Sequence, residues 1–457
     1  MKMITYSKWL AAGTVLIAAS AHATVEEMKL DNGLRVLVQE DPRAPVVVSQ
    51  VWYRAGSMDE FNGTTGVAHL LEHMMFQGTK KVPAGQFSKL IAAAGGRENA
   101  FTNQDYTTYF QQLQKDRLEL SMKLEADRMA NLQITDKEYN KEIQVVMEER
   151  RLRTEDKPQS MVYEKAMSIA FQEHPYRRPV IGWMDDLEHM TAQDARSWYT
   201  RWYAPNNATL VVVGDVKAKD VFALAKRYFG PLHAKPLPVR KPQDEPEQKG
   251  IKRITVKAPA KLPYLLMAWH APVIRDIDRD RVPYALQLLS GVLDGYDSAR
   301  LQKTLVKESK VAVSLGVGYD SMSRGPGMFY LEATPSEGES VDALEQAIRK
   351  ELANVIQNGV SEEELNRVKA QVISSDVYQR DSDFYQAMQI GELANLGLPL
   401  RLLDERVAKL RSVTADEIKA AAAQIINDDH LTVAVLDPQP IDAKPRRAPV
   451  AGVKNDY

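Results

Sequence analysis

Two stretches of this chain occur twice, in the same order and at almost the same interval. Val360-Ser361-Glu362-Glu363-Glu364-Leu365-Asn366-Arg367 echoes Ile134-Thr135-Asp136-Lys137-Glu138-Tyr139-Asn140-Lys141, which stands 226 positions earlier. Thr414-Ala415-Asp416-Glu417 echoes Thr191-Ala192-Gln193-Asp194, 223 positions earlier, and Leu431-Thr432-Val433-Ala434-Val435 takes the part of Leu210-Val211-Val212-Val213. Similar offsets in one order point to an internal duplication of about 220 residues. The 457 residues then hold two copies of one unit, and the chain folds as that pair. Between the copies, Pro231, Pro236, Pro238, Pro242 and Pro246 punctuate a charged, polar stretch that reads as an extended linker. The expected division is a first unit at 24–230, a linker at 231–250, a second unit at 251–437 and a mobile tail at 438–457.

Residues 1–23 have the pattern of a targeting segment. Lys2 and Lys8 precede an apolar run from Trp9 to Ala19, and Ala21-His22-Ala23 is a small-residue cleavage signature, so a cut after Ala23 is expected. The address would be the periplasm or the exterior, with no membrane anchor left after cleavage. No later stretch approaches the ~20 apolar residues of a membrane span. The formal charge of −2 offers no basic field for nucleic acid. There is no cysteine, which excludes disulfides, thiolate catalysis and Cys-ligated zinc.

The first unit mixes strands and helices. Leu34, Val36 and Val38 alternate after an Asn32-Gly33 turn, and Val46 to Trp52 is β-branched and aromatic. A helix near 84–94 stops at Gly95-Gly96, and the stretch from Arg97 to Phe110 has strand-like composition. Helical patterns follow at 117–129 and 136–155. Thr191 then caps another helix before the apolar strand from Leu210 to Val213.

The chemistry concentrates at Gly66-Val67-Ala68-His69-Leu70-Leu71-Glu72-His73-Met74-Met75-Phe76-Gln77-Gly78. This reads as one short helix, with Thr64 or Thr65 as N-cap and Gly78 as its stop. Val67, Leu70, Leu71 and Met74 form an apolar stripe, and His69, Glu72 and His73 turn to the other side. Histidines four apart aim at one point, and neutral imidazoles suit Zn²⁺ with a carboxylate beside them as base. The order is the reverse of His-Glu-x-x-His. The second copy has no such motif. Its histidines, His270 and His430, sit in strand-like surroundings, so the duplication is chemically asymmetric.

A catalytic zinc needs a third protein ligand. The acid-rich helix at 136–155 is the candidate source, with Glu142 and Glu149 seven apart on the face that borders Ile143 and Val146. Spacing does not choose between these two. His69-x-x-Glu72-His73, followed by Glu149 within Val145-Val146-Met147-Glu148-Glu149, resembles the pitrilysin/insulinase metallopeptidases, which include mitochondrial processing peptidase. The resemblance extends to Asp31-Asn32-Gly33-Leu34, Gly95-Gly96-x-x-Asn99-Ala100-x-Thr102, Pro205-Asn206-Asn207-Ala208 and Ser298-Ala299-Arg300-Leu301. It implies one Zn²⁺ per chain held by His69, His73 and Glu149, with Glu72 as catalytic base and Glu142 as supporting acid. It also implies an α+β fold of two homologous domains, each an antiparallel sheet with helices packed on it. Asn99, Ala100 and Phe101 would form an edge strand that pairs with the substrate backbone.

The chain departs from the family in one place. The family carries an Arg and, seven residues later, a Tyr that help hold the substrate carbonyl. Aligned on Leu305 and Val311-Ala312, those positions are Val306 and Val313. Losing one such donor typically costs about 10²–10³ in rate. The family's shorter members pair two chains around a closed chamber, so a second, homologous subunit is expected to supply the missing Arg and Tyr. The expected function is a zinc endopeptidase, or the zinc-bearing subunit of one, acting on extended peptides. The competing reading is a non-catalytic assembly or chaperone-like subunit that keeps the fold.

Overall fold

The computed structural model describes residues 24–441, so the expected targeting segment at 1–23 and residues 442–457 lie outside the described residues. The first half opens with strands β1 (Glu26–Lys29), β2 (Arg35–Glu40) and β3 (Val46–Tyr53). Helices α1 (Val67–Met74) and α2 (Gln86–Ala93) lead to the hairpin of β4 (Arg97–Thr102) and β5 (Thr107–Gln114). Helices α3 (Leu118–Asn131), α4 (Asp136–Arg150), α5 (Pro158–Ala170), α6 (Met184–His189) and α7 (Ala192–Trp202) follow. Strand β6 (Ala208–Gly214) and helix α8 (Ala218–Tyr228) close this half.

The second half repeats the plan: β7 (Lys252–Pro259), β8 (Tyr264–Ala271), α9 (Val282–Asp294), β9 (Ala312–Tyr319) and β10 (Gly327–Pro335). Then come α10 (Val341–Asn358), α11 (Glu362–Gln379), α12 (Asp383–Leu396), α13 (Leu402–Arg411), α14 (Ala415–Ile425) and β11 (Leu431–Gln439).

Sheet topology makes the duplication visible. The first sheet runs β1-β2-β6-β3-β5-β4 and the second β7-β11-β8-β10-β9, the same order once β1 is set aside. The expected antiparallel sheets carry one exception each: β6 is parallel to β2, and β11 to β7. The last strand of each half returns after a long helical crossover and inserts in the middle, which a tight hairpin could not do. The repeated sequence signals are helix caps. Thr191 with Asp194 and Thr414 with Glu417 form capping boxes on α7 and α14, while Thr135 and Ser361 cap α4 and α11. Pro438 and Gln439, expected in the tail, instead extend β11 and pair with Ala258 and Pro259. A proline is tolerated there because the chain is about to leave the sheet.

Each sheet has two covered faces. The main cores lie between each sheet and its own helices: Val36, Val51 and Leu210 pack with Leu70, Leu71 and Met122 in the first half, and Leu265, Met267 and Val433 with Leu288, Leu289 and Ile418 in the second. The opposite faces are covered by exchange. Ala387 and Ile390 of α12 pack on Leu37, Val48, Trp52 and Val211 of the first sheet, while Val162 and Ala166 of α5 pack on Val256, Leu266 and Ala434 of the second. The Pro-rich stretch after α8 contains no helix or strand up to β7 and runs as a strap. Its Arg240 binds Asp59 at 2.6 Å, and its Glu245 accepts the backbone N–H groups of Gln172, Glu173 and His174 at 2.6–2.9 Å.

Candidate active site

Helix α1 is placed by its entry. Gly66 adopts φ +87°, where a side chain is strained, and a Cβ there would lie 2.6 Å from the Ile181 carbonyl oxygen. Neither Thr64 nor Thr65 caps the helix. Gly66 is the N-cap, and the helix ends at Met74 with Met75 as its C-cap, before Gly78. The orphan N–H groups go instead to Glu60, buried upstream, whose Oε2 accepts from Gly66 at 2.8 Å and Oε1 from Ala68 at 2.9 Å. Thr65 is used otherwise: its backbone N–H donates to Asp186, and its Oγ1 accepts from the backbone of Trp183 at 2.9 Å. Val67, Leu70, Leu71 and Met74 are buried as the apolar stripe requires.

The opposite side of α1 meets α4. The His69 and His73 rings stand 4.9 Å apart between centroids, at 72°. Glu149 Oε1 is 3.7 Å from His69 Nε2, and its Oε2 is 3.3 Å from His73 Nε2. Donor atoms of His69, His73 and Glu149 all fall within 4.8 Å of one another. Two turns earlier on the same face of α4, Glu142 Oε2 lies 3.5 Å from His73 Nδ1 and its Oε1 accepts from Gln77 Nε2 at 3.0 Å. The two acids that spacing left tied are thus divided by geometry: Glu149 joins the convergent set and Glu142 backs the imidazole. Glu148 turns away to Arg151, at 3.1 Å.

Electrostatics suit a dication. Burial pushes the His69 imidazole down to about 4, the neutral form a metal ligand needs. At His73 burial opposes charge, but Glu142 and Glu149 outweigh it and raise the ring to about 9. Glu149 is held down to about 2, because its contacts with the two histidines and Arg153 overcome burial. Two carboxylates thus flank a buried imidazole pair, a donor set that could hold a metal ion. With Glu142 on the Nδ1 side, His73 presents Nε2 to the convergence point. The residues fit a zinc ion.

Glu72 sits between the histidines and out of the donor triangle. Thr102 Oγ1, at the end of β4, donates to its Oε2 at 2.5 Å, and burial raises its carboxyl above the usual range. Among the described strands β4 lies at the edge of its sheet and pairs with β5 in a register that sets Asn99 opposite Phe110, Ala100 opposite Tyr109 and Phe101 opposite Thr108. Asn99, Ala100 and Phe101 line the same cleft of about 750 Å³ as the metal donors. Every residue lining that cleft falls between 69 and 153. Val306 is half-buried against the second core and Val313 is exposed on β9; neither reaches the cleft.

Glu60, Gln77 and Arg153 were not foreseen. Arg153 Nη1 is 2.8 Å from Glu149 Oε1, brought there by the π-helical turn Arg151–Glu155 that extends α4. Their signal was weak, since each is one polar residue among many: Glu60 acts across a loop, Gln77 through a contact 65 positions away and Arg153 through an irregular turn.

A duplicated α+β chain in which, among the described residues, two histidines and a glutamate of the first half converge on one point has the architecture of an inverted-motif metallopeptidase. Residues 35–183 match the Insulinase (Peptidase family M16) family and residues 189–372 the Peptidase M16 inactive domain, so the chain belongs to the M16 peptidases. It is 33% identical over 384 residues to zinc protease PqqE of Helicobacter pylori, covering 81% of this chain and 85% of that one. An uncharacterised zinc protease of Mycobacterium leprae is 28% identical over 440 residues, covering 94% and 96%. Among solved structures, a protease from Helicobacter pylori superposes with TM-score 0.87 at 28% identity, covering 91% of this chain and all of that one. The periplasmic protease PqqL of Escherichia coli shares the fold at TM-score 0.78 and 21% identity; the match covers 91% of this chain and 48% of PqqL. The protein is a zinc-dependent peptidase by family and by donor set.

Proposed function

We propose that this chain is the zinc-bearing subunit of a two-subunit endopeptidase that cleaves extended peptides held along β4. The observation that carries the reading is the convergence of His69, His73 and Glu149 beside Glu72, which Thr102 at the end of strand β4 contacts. His69 Nε2, His73 Nε2 and Glu149 would hold one Zn²⁺, which when bound polarises a carbonyl and acidifies a water. Glu142 fixes the His73 ring. Glu72 takes a proton on its carboxylate from the attacking water and returns it to the leaving amine nitrogen; its desolvated setting and the Thr102 hydrogen bond keep it poised for both. Asn99, Ala100 and Phe101 give the substrate backbone a strand to pair with, which favours extended, unfolded segments over any one side chain.

The partner reading rests on what the cleft lacks. Arg and Tyr are missing at Val306 and Val313, and the second half lines none of the cleft. That the chain spans about half of PqqL supports a working unit of twice this length. The chamber formed with the partner, and delivery to the periplasm after a cut behind Ala23, belong to the same reading. The donor set argues against a purely structural subunit, which would have no need of Glu72.

The test is zinc content and peptidolysis of the mature chain, alone and with the product of the neighbouring gene. Full activity from the lone chain would remove the partner. Peptidolysis by Glu72→Gln at wild-type rate would remove the enzyme.

A further inference from the structure

We infer that Arg324, in the half without metal donors, is a positioning residue that fixes both the metal-binding helix α1 and the peptide-binding strand β4. This rests on the reading of those two elements given above. Arg324 lies between β9 and β10, with its side chain only 6% exposed. Its Nη1 donates to Asp59 Oδ2 and to the Asp105 carbonyl oxygen, both at 2.9 Å, and its Nη2 reaches Asp59 Oδ1 at 3.3 Å. Its own backbone N–H donates to Asp105 Oδ2 at 2.9 Å. Tyr176 completes the junction, donating to Asp105 and accepting from the Gly325 N–H at 2.8 Å.

Each partner of this guanidinium leads to one side of the cleft. Asp105 sits in the turn joining β4 to β5, three residues beyond Thr102. Asp59 immediately precedes Glu60, the residue that caps α1. Segment 56–60 is also keyed to the hairpin turn, through Ser57 N–H to the Asn103 carbonyl at 3.1 Å and Met58 N–H to the Gln104 carbonyl at 2.9 Å. A Cβ on Gly56 would lie 2.5 Å from that Asn103 oxygen, so the segment cannot drift without moving the turn. The two routes meet again where Thr102 of β4 donates to Glu72 of α1. A planar fork with several donors can hold the Asp59 carboxylate and the Asp105 carbonyl in one geometry, while the backbone N–H of the same residue takes the Asp105 carboxylate. Removing it leaves Asp59 and Asp105 facing each other with less charge compensation. Arg240 still binds Asp59 at 2.6 Å, so the loss is local rather than global.

The experiment is amide hydrogen exchange on the full mature chain carrying Arg324→Gln or Arg324→Lys, with zinc affinity read by chelator competition. In Arg324→Gln, exchange should quicken by about 10-fold or more in segments 56–74 and 97–107, with β3 and β6 unchanged. Zinc affinity should weaken by about 10-fold, and Arg324→Lys should fall between the two proteins. Unchanged exchange in both segments overturns the inference, and so does a uniform rise along the chain, which marks ordinary destabilisation. If Arg324→Gln fails to fold, Asp59→Asn and Asp105→Asn carry the test. The first should loosen mainly 56–74 and the second mainly 97–107, and absence of that division also overturns it. Neither readout needs a peptide substrate, so a chain that proves inactive leaves this test intact.

Discussion

Glu142 and Glu149, two turns apart on α4, hold opposite nitrogens of the single His73 ring, at 3.5 Å from Nδ1 and 3.3 Å from Nε2. The ring therefore cannot rotate without giving up one carboxylate, and its tautomer is set from behind. Replacing Glu142 by Gln should leave the fold intact and weaken zinc binding by about 10- to 100-fold, as loss of an orienting partner does. Chelator competition measures this directly. An unchanged affinity would mean that Glu142 serves Gln77 rather than the metal centre.

Glu72 accepts a hydrogen bond from Thr102 Oγ1 at 2.5 Å. Glu72→Gln should retain zinc and lose about 10²–10⁴ in kcat, the range expected for a proton-transfer group. Thr102→Val should cost less, through a misaimed carboxylate, and should appear in kcat more than in KM. Steady-state kinetics on an unstructured peptide, beside metal analysis, separates the two variants.

Helix α12 lies so close to the first sheet that a Cβ on Gly391 would stand 2.1 Å from Cε2 of the fully buried Trp52 ring. Neither atom belongs to a flexible end. Gly391→Ala should destabilise by about 1–3 kcal/mol, the usual cost of overpacking. Urea unfolding reads the loss. Wild-type stability would show that α12 can slide on the sheet.

His174 gives the stability an acid-side slope. It is buried, its Nδ1 accepts from the Tyr176 N–H at 3.2 Å, and burial holds it down to about 4, with Glu245 pulling upward and Arg275 downward. The unfolded chain takes up a proton near pH 6.5, where the folded chain does not. The His174 contribution is therefore complete above about 6.5 and declines as pH falls toward about 4. Urea midpoints of metal-free protein should drop across that window, and His174→Gln should flatten part of the drop. An equal slope in both proteins would assign the effect elsewhere.

Much of this was legible in the chain itself because it depended on period and punctuation. Thr191 and Thr414 announced equivalent helices, and Val67, Leu70, Leu71 and Met74 gave the orientation of α1 that throws its two histidines together. Periodicity also put Glu142 and Glu149 on one face, but two turns of helix look alike from sequence and only packing against α1 distinguished them. The parallel pairs in both sheets were missed for a topological reason: strand direction depends on where β6 and β11 insert, and no local signal encodes that. The cap of α1 was misread because Thr64 and Thr65 are good cap residues by type, while the acceptor came from Glu60 across a loop. Arg324 was invisible, since its partners lie more than 200 positions away.

The exchange of α5 and α12 bears on how such a chain could have changed since its halves were one unit. Each half wears a helix of the other against its own sheet. A gene cut at the proline-rich stretch would yield a first product with Leu37, Val48, Trp52 and Val211 laid bare, an adhesive surface in search of cover. The copy without the His-x-x-Glu-His motif is therefore not a dispensable relic. It holds no metal-donor cluster among the described residues, yet its helix covers the first sheet, and the two fragments would be expected to survive only by finding each other again.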